Sequence, residues 1–179
     1  TAWAYATAGH AAPGLLDAMA KEMAHRGLRE FKPQELSNTV WAYATLAQPA
    51  PALFDAVAEE AAPRLREFTP QGLANTAWAF AAANHPAPAL FGGDAFVRRC
   101  TSERGFVLGT LTQLHQWRLW HDEIGADWPR LPPELARRCH DAFCQEEGRP
   151  SKLQRDVVAS LLALGLAPQE EVRTPQGYS

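Results

Sequence analysis

The chain has 179 residues, with 17 Lys or Arg against 20 Asp or Glu and a formal net charge of −3. This length is enough for one or two domains with a hydrophobic core. A nucleic-acid-binding surface usually carries a surplus of Lys and Arg, so the charge argues against strong electrostatic binding of RNA or DNA. No run of 18 or more apolar residues is present, and the sequence therefore predicts no membrane-spanning helix.

A tryptophan-containing phrase recurs from the start of the chain. "SNTVWAYATL" at 37–46 matches "ANTAWAFAAA" at 74–83, and both share a core with "TAWAYATAGH" at 1–10. Trp3, Trp41, Trp78 and Trp117 are separated by 38, 37 and 39 residues. A fixed period of this length is typical of repeat proteins. Because the chain begins at Thr1, part-way through the phrase, we expect it to be a piece of a longer protein.

Each repeat predicts a helical hairpin. A first helix is expected from about 33 to 47, with Leu36, Val40 and Tyr43 on its apolar stripe. In the next repeat Thr69 is placed to cap the equivalent helix, with Pro70 at its first position. The prolines of "QPAP" at 48–51 and "HPAP" at 85–88 end the first helices. A second helix is expected from about 52 to 67, kinked or shortened at Pro63.

One such hairpin cannot cover its own apolar faces, whereas stacked neighbours can. The sequence therefore predicts an all-α fold: an α-solenoid of hairpin repeats over 1–92, followed by a degenerate helical cap. The repeated Trp is expected in the core, with alanines that allow helices to approach closely. Two glycines interrupt the pattern after Phe91, and 93–109 is expected to be an irregular linker or insertion. Residues 110–165 predict a degenerate repeat with helices at 110–125, 133–147 and 151–165, and 166–179 predict a polar lead-in to an absent C-terminal domain.

The order of these phrases carries a family resemblance. Phe31 to Ala44 and Phe68 to Ala81 fit "F-x-P-Q-x-L-x-N-T-x-W-A-[YF]-A", and "LHQWRLW" at 114–120 and "PSKLQRDVVASLLALG" at 150–165 follow. The chain resembles the RAP-domain proteins of algae and protists, whose helical repeats are similar to octotricopeptide and FAST kinase-like repeats. The resemblance implies an RNA-binding protein of the mitochondrial matrix or, alternatively, the plastid stroma, ending here just before its RAP domain. It also implies a role in processing, stability or translation of organellar mRNA or rRNA.

The first helices carry a second, polar stripe. Gln34, Asn38, Trp41 and Thr45 lie at i, i+4, i+7 and i+11, and they match Gln71, Asn75, Trp78 and Ala82. In RNA readers with one base per repeat, polar side chains on such a face meet base edges, and amides offer a donor beside an acceptor. The alternative for Asn38 and Asn75 is a structural role, in which they satisfy backbone groups between adjacent hairpins. The alternative for Gln34 and Gln71 is capping of the first turn.

The basic residues that could hold phosphates are scattered, and each could equally be part of a solvated surface. They are Lys32, Arg64, Arg66, Arg98, Arg99 and Arg104. "FVRRC" at 96–100 could also be an arm that becomes ordered on a partner.

The other candidate chemistry is weak. Cys139 and Cys144 are five residues apart and the chain has no Cys-x-x-Cys pair, so we expect core thiols, no metal site and no cofactor. Three cysteines also do not form a disulfide framework, which favours a reducing compartment. No phosphate loop, kinase signature, Gly-x-Ser-x-Gly elbow or isolated carboxylate pair is present, so the chain is not expected to be an enzyme or to take a small-molecule substrate. Any nuclease-like activity implied by the family would lie beyond Ser179.

Two functions therefore remain open. One is an RNA-binding helical-repeat module that presents Asn38 and Asn75 to single-stranded organellar RNA. The other is a non-catalytic scaffold that binds protein subunits within an organellar ribonucleoprotein. The composition favours the scaffold, whereas the resemblance favours RNA binding.

Overall fold

The computed structural model describes residues 1–145 together with 161, 162 and 164, and the described part of the chain is all-α. Helices α1 to α9 span Ala2–Thr7, Pro13–Arg26, Pro33–Thr45, Pro51–Ala61, Pro70–Ala82, Pro88–Phe91, Ala95–Ser102, Leu108–Glu123 and Pro133–Gln145. A 3-10 helix, Ala62–Glu67, continues directly from α4. The predicted helix at 151–165, the end of the predicted helix at 133–147 and the lead-in at 166–179 lie outside the described residues, apart from 161, 162 and 164.

Proline fixes where most of these helices begin. It occupies the first or second position of α2 to α6, where the missing N–H leaves no hydrogen bond unmade. At the start of α5 the Thr69 hydroxyl accepts a hydrogen bond from the Gly72 N–H at 3.1 Å, as expected. At the equivalent place before α3, the Glu35 carboxylate instead accepts from the Lys32 N–H at 2.7 Å. The same boundary is therefore stabilised by different side chains in successive repeats.

The first helices end in one repeated turn. Gly9, Ala47 and Asn84 have φ values of 62°, 48° and 47°, which is left-handed backbone. In each turn the next residue donates its N–H to a carbonyl five residues back, for example from His85 to Phe80 at 3.0 Å. This is the pattern of a Schellman helix end, in which glycine is the usual residue. The turn reverses the chain into the second helix at the same point of every repeat.

The helices pack in two sets that follow the order of the repeats. Helix α3 packs between α1 and α5, and α8 packs between α5 and α9. The second helices α2, α4 and α6 form a separate series of neighbours, and α7 packs against the 3-10 helix and α6. Each hairpin thus buries its apolar faces mainly against the equivalent helices of the next hairpin.

In the two full repeats the fully buried aromatic residue is not the tryptophan. Tyr43 and Phe80 are fully buried, whereas Trp41 and Trp78 are only partly buried and pack on the margin of the core. The Tyr43 hydroxyl donates to the Leu16 carbonyl at 2.6 Å, which joins α3 to α2. The prediction that Trp41 anchors the core therefore needs correction, because the residue two positions later points inward.

Trp117 differs from the tryptophans with which the period aligns it. Trp41 and Trp78 are the ninth residues of α3 and α5, while Trp117 is the tenth residue of α8. One residue corresponds to a rotation of about 100° around a helix. Trp117 is accordingly 1% exposed and contacts Phe91 and Phe96, with ring centroids 5.3 and 5.1 Å away. The tryptophan spacing thus continues to Trp117 in the sequence, but the Trp117 side chain points into the core, unlike those of Trp41 and Trp78.

The segment at 93–109, expected to be irregular, contains helix α7. Phe96, Val97 and Cys100 lie on its buried face, spaced as one helical stripe. The two glycines that motivated the prediction only end the four-residue helix α6. By contrast, Pro63 shortens α4 as predicted: the α-helix ends at Ala61 and the chain continues as the 3-10 helix.

Candidate nucleic-acid interface

The polar stripes of α3 and α5 form one continuous surface, which we call the amide face. It consists of Gln34, Asn38 and Trp41 on α3 and of Gln71, Asn75 and Trp78 on α5. Both glutamines are exposed, and the asparagines and tryptophans are partly buried. The Trp41 and Trp78 ring centroids are 6.5 Å apart, with the rings tilted by 39°. The structure thus brings the predicted amide residues of two repeats onto adjacent helices that contact each other.

Asn75 binds side chains on two helices. Its Oδ1 accepts hydrogen bonds from Gln71 Nε2 at 2.7 Å and from Gln113 Nε2 at 3.0 Å. Gln113 lies on α8, so this bond crosses between first helices. A structural role between hairpins is therefore present at Asn75, although its partners are side-chain amides and not the backbone groups that were expected. Gln71 likewise binds Asn75, and capping is not needed to explain it.

Asn38 has a different environment. Among the described residues no side chain forms a hydrogen bond with its amide or with the amide of Gln34. The residue on the next helix that would correspond to Gln113 is Asn75, whose side chain is one methylene shorter and bonds Gln71 on α5 and Gln113 on α8. The amides of α3 therefore keep their hydrogen-bonding groups available to a ligand.

The sequence analysis missed Gln113. Asn38, Asn75 and Gln113 are each the sixth residue of their helices, α3, α5 and α8. Alignment on the tryptophans places Leu114 at this position, because α8 is shifted by one residue relative to its Trp. Alignment on the helix starts would have revealed a third amide in the series.

Most of the predicted phosphate-binding arginines are already paired. Arg64 bonds Glu60 at 2.9 Å and Glu67 at 3.3 Å, and these hydrogen bonds raise the pKa of the guanidinium. Arg98 forms an exposed ion pair with Asp94. These residues lie on the 3-10 helix and α7, not on the amide face. The structure therefore places these arginines away from the predicted base-reading residues, whereas the exposed Lys32 caps α3 next to Gln34.

Arg99 has a structural position. It donates to the Phe68 carbonyl at 2.9 Å and pairs with Glu103 at 2.8 Å. The backbone N–H of Gly105, followed by Arg99, holds the pKa of the Glu103 carboxyl below its ordinary value. Together these bonds tie α7 to Phe68 at the end of the 3-10 helix, so the segment that could have been a mobile arm is a packed helix here. Arg66, Arg104 and Lys32 have no ion pair among the described residues.

The thiols behave as small core residues. Cys100 and Cys139 are buried, and burial raises the pKa of both, that of Cys139 to about 11. Cys144 lies near His140, with its sulfur 3.6 Å from Nε2. No group of three or more His, Cys, Asp or Glu suited to a metal ion occurs within the described part of the chain.

Comparisons with protein-family models, with curated proteins and with solved structures found no match to this chain. Within the described residues, no helix has the length and apolar character needed to cross a membrane.

Proposed function

We propose that the chain is a segment of an α-solenoid and serves as the RNA-binding helical-repeat module of an organellar RNA processing, stability or translation factor. Its ligand is single-stranded mRNA or rRNA, in the mitochondrial matrix or alternatively the plastid stroma. The sequence resemblance to RAP-domain proteins supports the organelle. The order of packing among α1, α3, α5 and α8 supports the solenoid, because each first helix contacts the next one.

The observation that carries RNA binding is the amide face. Two adjacent first helices present the same series of two amides and one indole, one set for each repeat. Amides can donate to and accept from a base edge at once, and a partly exposed indole edge offers apolar contact to a base. Gln34 and Asn38 are free to bind, whereas the Gln71–Asn75–Gln113 hydrogen bonds fix the neighbouring helices. Base contact is thus assigned first to α3.

The second candidate, a protein-binding scaffold, is favoured by a specific observation. Arg64 and Arg99 are held by carboxylates in partly buried ion pairs, and the whole chain has a net charge of −3. Tight RNA binding normally draws on unpaired cations. RNA binding therefore predicts that variants of the amide face lose RNA crosslinking, whereas the scaffold function predicts no such loss.

The test is ultraviolet crosslinking of the full-length protein to organellar RNA, combined with urea unfolding of each variant. Gln34→Ala/Asn38→Ala should lower RNA crosslinking about tenfold at unchanged stability, because one bidentate base contact contributes about 1–3 kcal/mol. Gln145→Ala, an exposed amide on α9, is the matched control. Asn75→Ala should instead lower the free energy of unfolding by about 1–2 kcal/mol, since it removes hydrogen bonds to two side chains. Unchanged crosslinking in the double variant would reject base contact by this face and leave the scaffold.

A further inference from the structure

A groove lies between the 3-10 helix Ala62–Glu67 and α7, away from the amide face. Its volume is about 720 Å³, and Pro132 closes one side. The lining is largely apolar, with Ala62, Pro63, Leu65 and Val97 contributing side chains. Leu65 and Val97 are only 5% and 8% exposed, so the groove has a packed wall and not merely an irregular surface.

Among the described residues, the charged side chains that line this groove are all basic, while Asp94 and Glu103 just outside the lining pair with Arg98 and Arg99. Arg66, Arg98 and Arg99 line it, and no Asp or Glu is among the described residues of the lining. This is notable in a chain with 20 acidic and 17 basic residues. A groove walled by low-dielectric side chains and lined by one charge concentrates the field on a ligand of opposite charge. The groove is therefore complementary to an anionic ligand.

The three arginines are not equally available. Arg66 has no ion pair among the described residues, and the Arg98 pair with Asp94 is exposed on both sides, with side chains 72% and 60% accessible. Exposed pairs of this kind contribute little to stability, so a ligand carboxylate can replace Asp94. Arg99 is held by Phe68 and Glu103 and fixes the wall. Arg66 and Arg98 stand on different elements and can bind two separate carboxylates.

We infer that this groove is a docking site for an acidic peptide segment of a partner protein, in which Asp or Glu residues flank an aliphatic side chain. The aliphatic group would fill the space beside Leu65 and Val97, and the carboxylates would bind Arg66 and Arg98 bidentately. RNA fits less well, because the described residues of the lining include no aromatic ring for base stacking and no side-chain amide for base edges. The Thr101 and Ser102 hydroxyls already donate to backbone carbonyls of α7.

This site is independent of RNA binding by the amide face, since the two share no residue. It can be tested by phage display of random 12-residue peptides against the full 179-residue chain. Selected peptides should be enriched in Asp or Glu next to Leu, Ile or Val. A synthetic copy of the strongest binder should lose at least tenfold in affinity for Arg66→Glu/Arg98→Glu. Both substituted side chains are exposed, so the fold should be retained, as circular dichroism would verify.

Two further variants sharpen the test. Arg26→Glu/Arg29→Glu reverses two exposed arginines elsewhere and should leave peptide affinity unchanged. Ala95→Asp places a carboxylate in the groove at the first turn of α7, where an acidic residue suits the helix, and should weaken the peptide. Selected peptides without acidic enrichment, or equal binding to wild type and Arg66→Glu/Arg98→Glu, would overturn the proposal. A 20-nucleotide oligouridylate that binds the wild type, loses affinity in that variant and displaces the peptide would overturn it in favour of RNA phosphate.

Discussion

The joint between α3 and α5 and the joint between α5 and α8 connect equivalent helices of the repeat by different contacts. In the α3–α5 joint, Trp41 touches Trp78 and no side-chain hydrogen bond between the two helices is found among the described residues. In the α5–α8 joint, Gln113 bonds Asn75, and Trp120 Nε1 donates to Asn84 Oδ1 at 2.9 Å. The first joint is held by packing and the second by packing together with directional bonds.

The two joints also differ in packing, because Trp117 is shifted by one residue relative to Trp41 and Trp78. In α3 and α5 the tryptophan lies at the helix margin, and small residues allow the helices to approach: Gly72, Ala74 and Ala77 are fully or almost fully buried. In α8 the tryptophan turns inward and joins Phe91 and Phe96 in an aromatic cluster. The order of the helices is therefore kept from unit to unit, although Trp117 packs against different residues from Trp41 and Trp78.

The largest expected effect tests the difference in burial between Trp117 and Trp41. Trp117→Ala should lower the free energy of unfolding by about 3–5 kcal/mol, because it removes a fully buried aromatic and leaves a cavity. Trp41→Ala should cost only about 1–2 kcal/mol, because part of its surface already faces solvent. Urea unfolding followed by circular dichroism measures both. Equal losses would mean that Trp41 is as much a core residue as Trp117 and that the two joints do not differ in this way.

Two substitutions in the repeated turn should have smaller effects on stability, in opposite directions. Ala47→Gly should stabilise the chain by about 0.5–1 kcal/mol, since a left-handed alanine is strained by roughly 1–2 kcal/mol and glycine is not. Asn84→Ala should destabilise it by about 1–2 kcal/mol, because the buried Trp120 N–H loses its acceptor. Thermal unfolding separates the two. Asn84→Gly is the control, because it also removes the acceptor but relieves the left-handed backbone. If the unfolding temperature of Asn84→Gly is no higher than that of Asn84→Ala, the turn is not strained.

The local fold could largely be read from the sequence. Proline and Thr69 mark helix starts, and the apolar stripe of α3 is buried as predicted, with Leu36, Val40 and Tyr43 each 0% exposed. These features depend on neighbours within a few residues. Helix α7 was not predicted, because the two glycines before it indicate an irregular segment. Tertiary burial of Phe96 and Cys100 nevertheless stabilises a short helix after them.

The candidate site could be predicted only in part. The amide face follows from helical spacing, but Asn75 and Asn38 look identical in sequence. Their difference comes from Gln113, 38 residues further along, and from the length of its side chain. Similarly, nothing local distinguishes His121 from a surface histidine of an amphipathic helix. The structure places it between Trp117 and Trp128, with ring centroids 5.4 and 5.8 Å away and rings within 8° of parallel.

His121 supplies the smallest expected effect, because no contact is removed. It is 1% exposed, and burial lowers the pKa of its imidazole, with Asp122 acting in the opposite direction and Arg130 in the same one. Below pH 6.5 the His121 imidazole is protonated in the unfolded chain but still neutral in the folded chain. The free energy of unfolding therefore decreases as the pH falls from 6.5 towards the folded-state pKa. His121→Phe preserves a ring between the two indoles but cannot titrate. Urea unfolding from pH 7.5 to 5 should therefore show a steeper decline for the wild type than for His121→Phe, while the other histidines contribute equally to both. Parallel pH profiles would mean that His121 titrates alike in both states, and its stack between Trp117 and Trp128 would then carry no pH dependence.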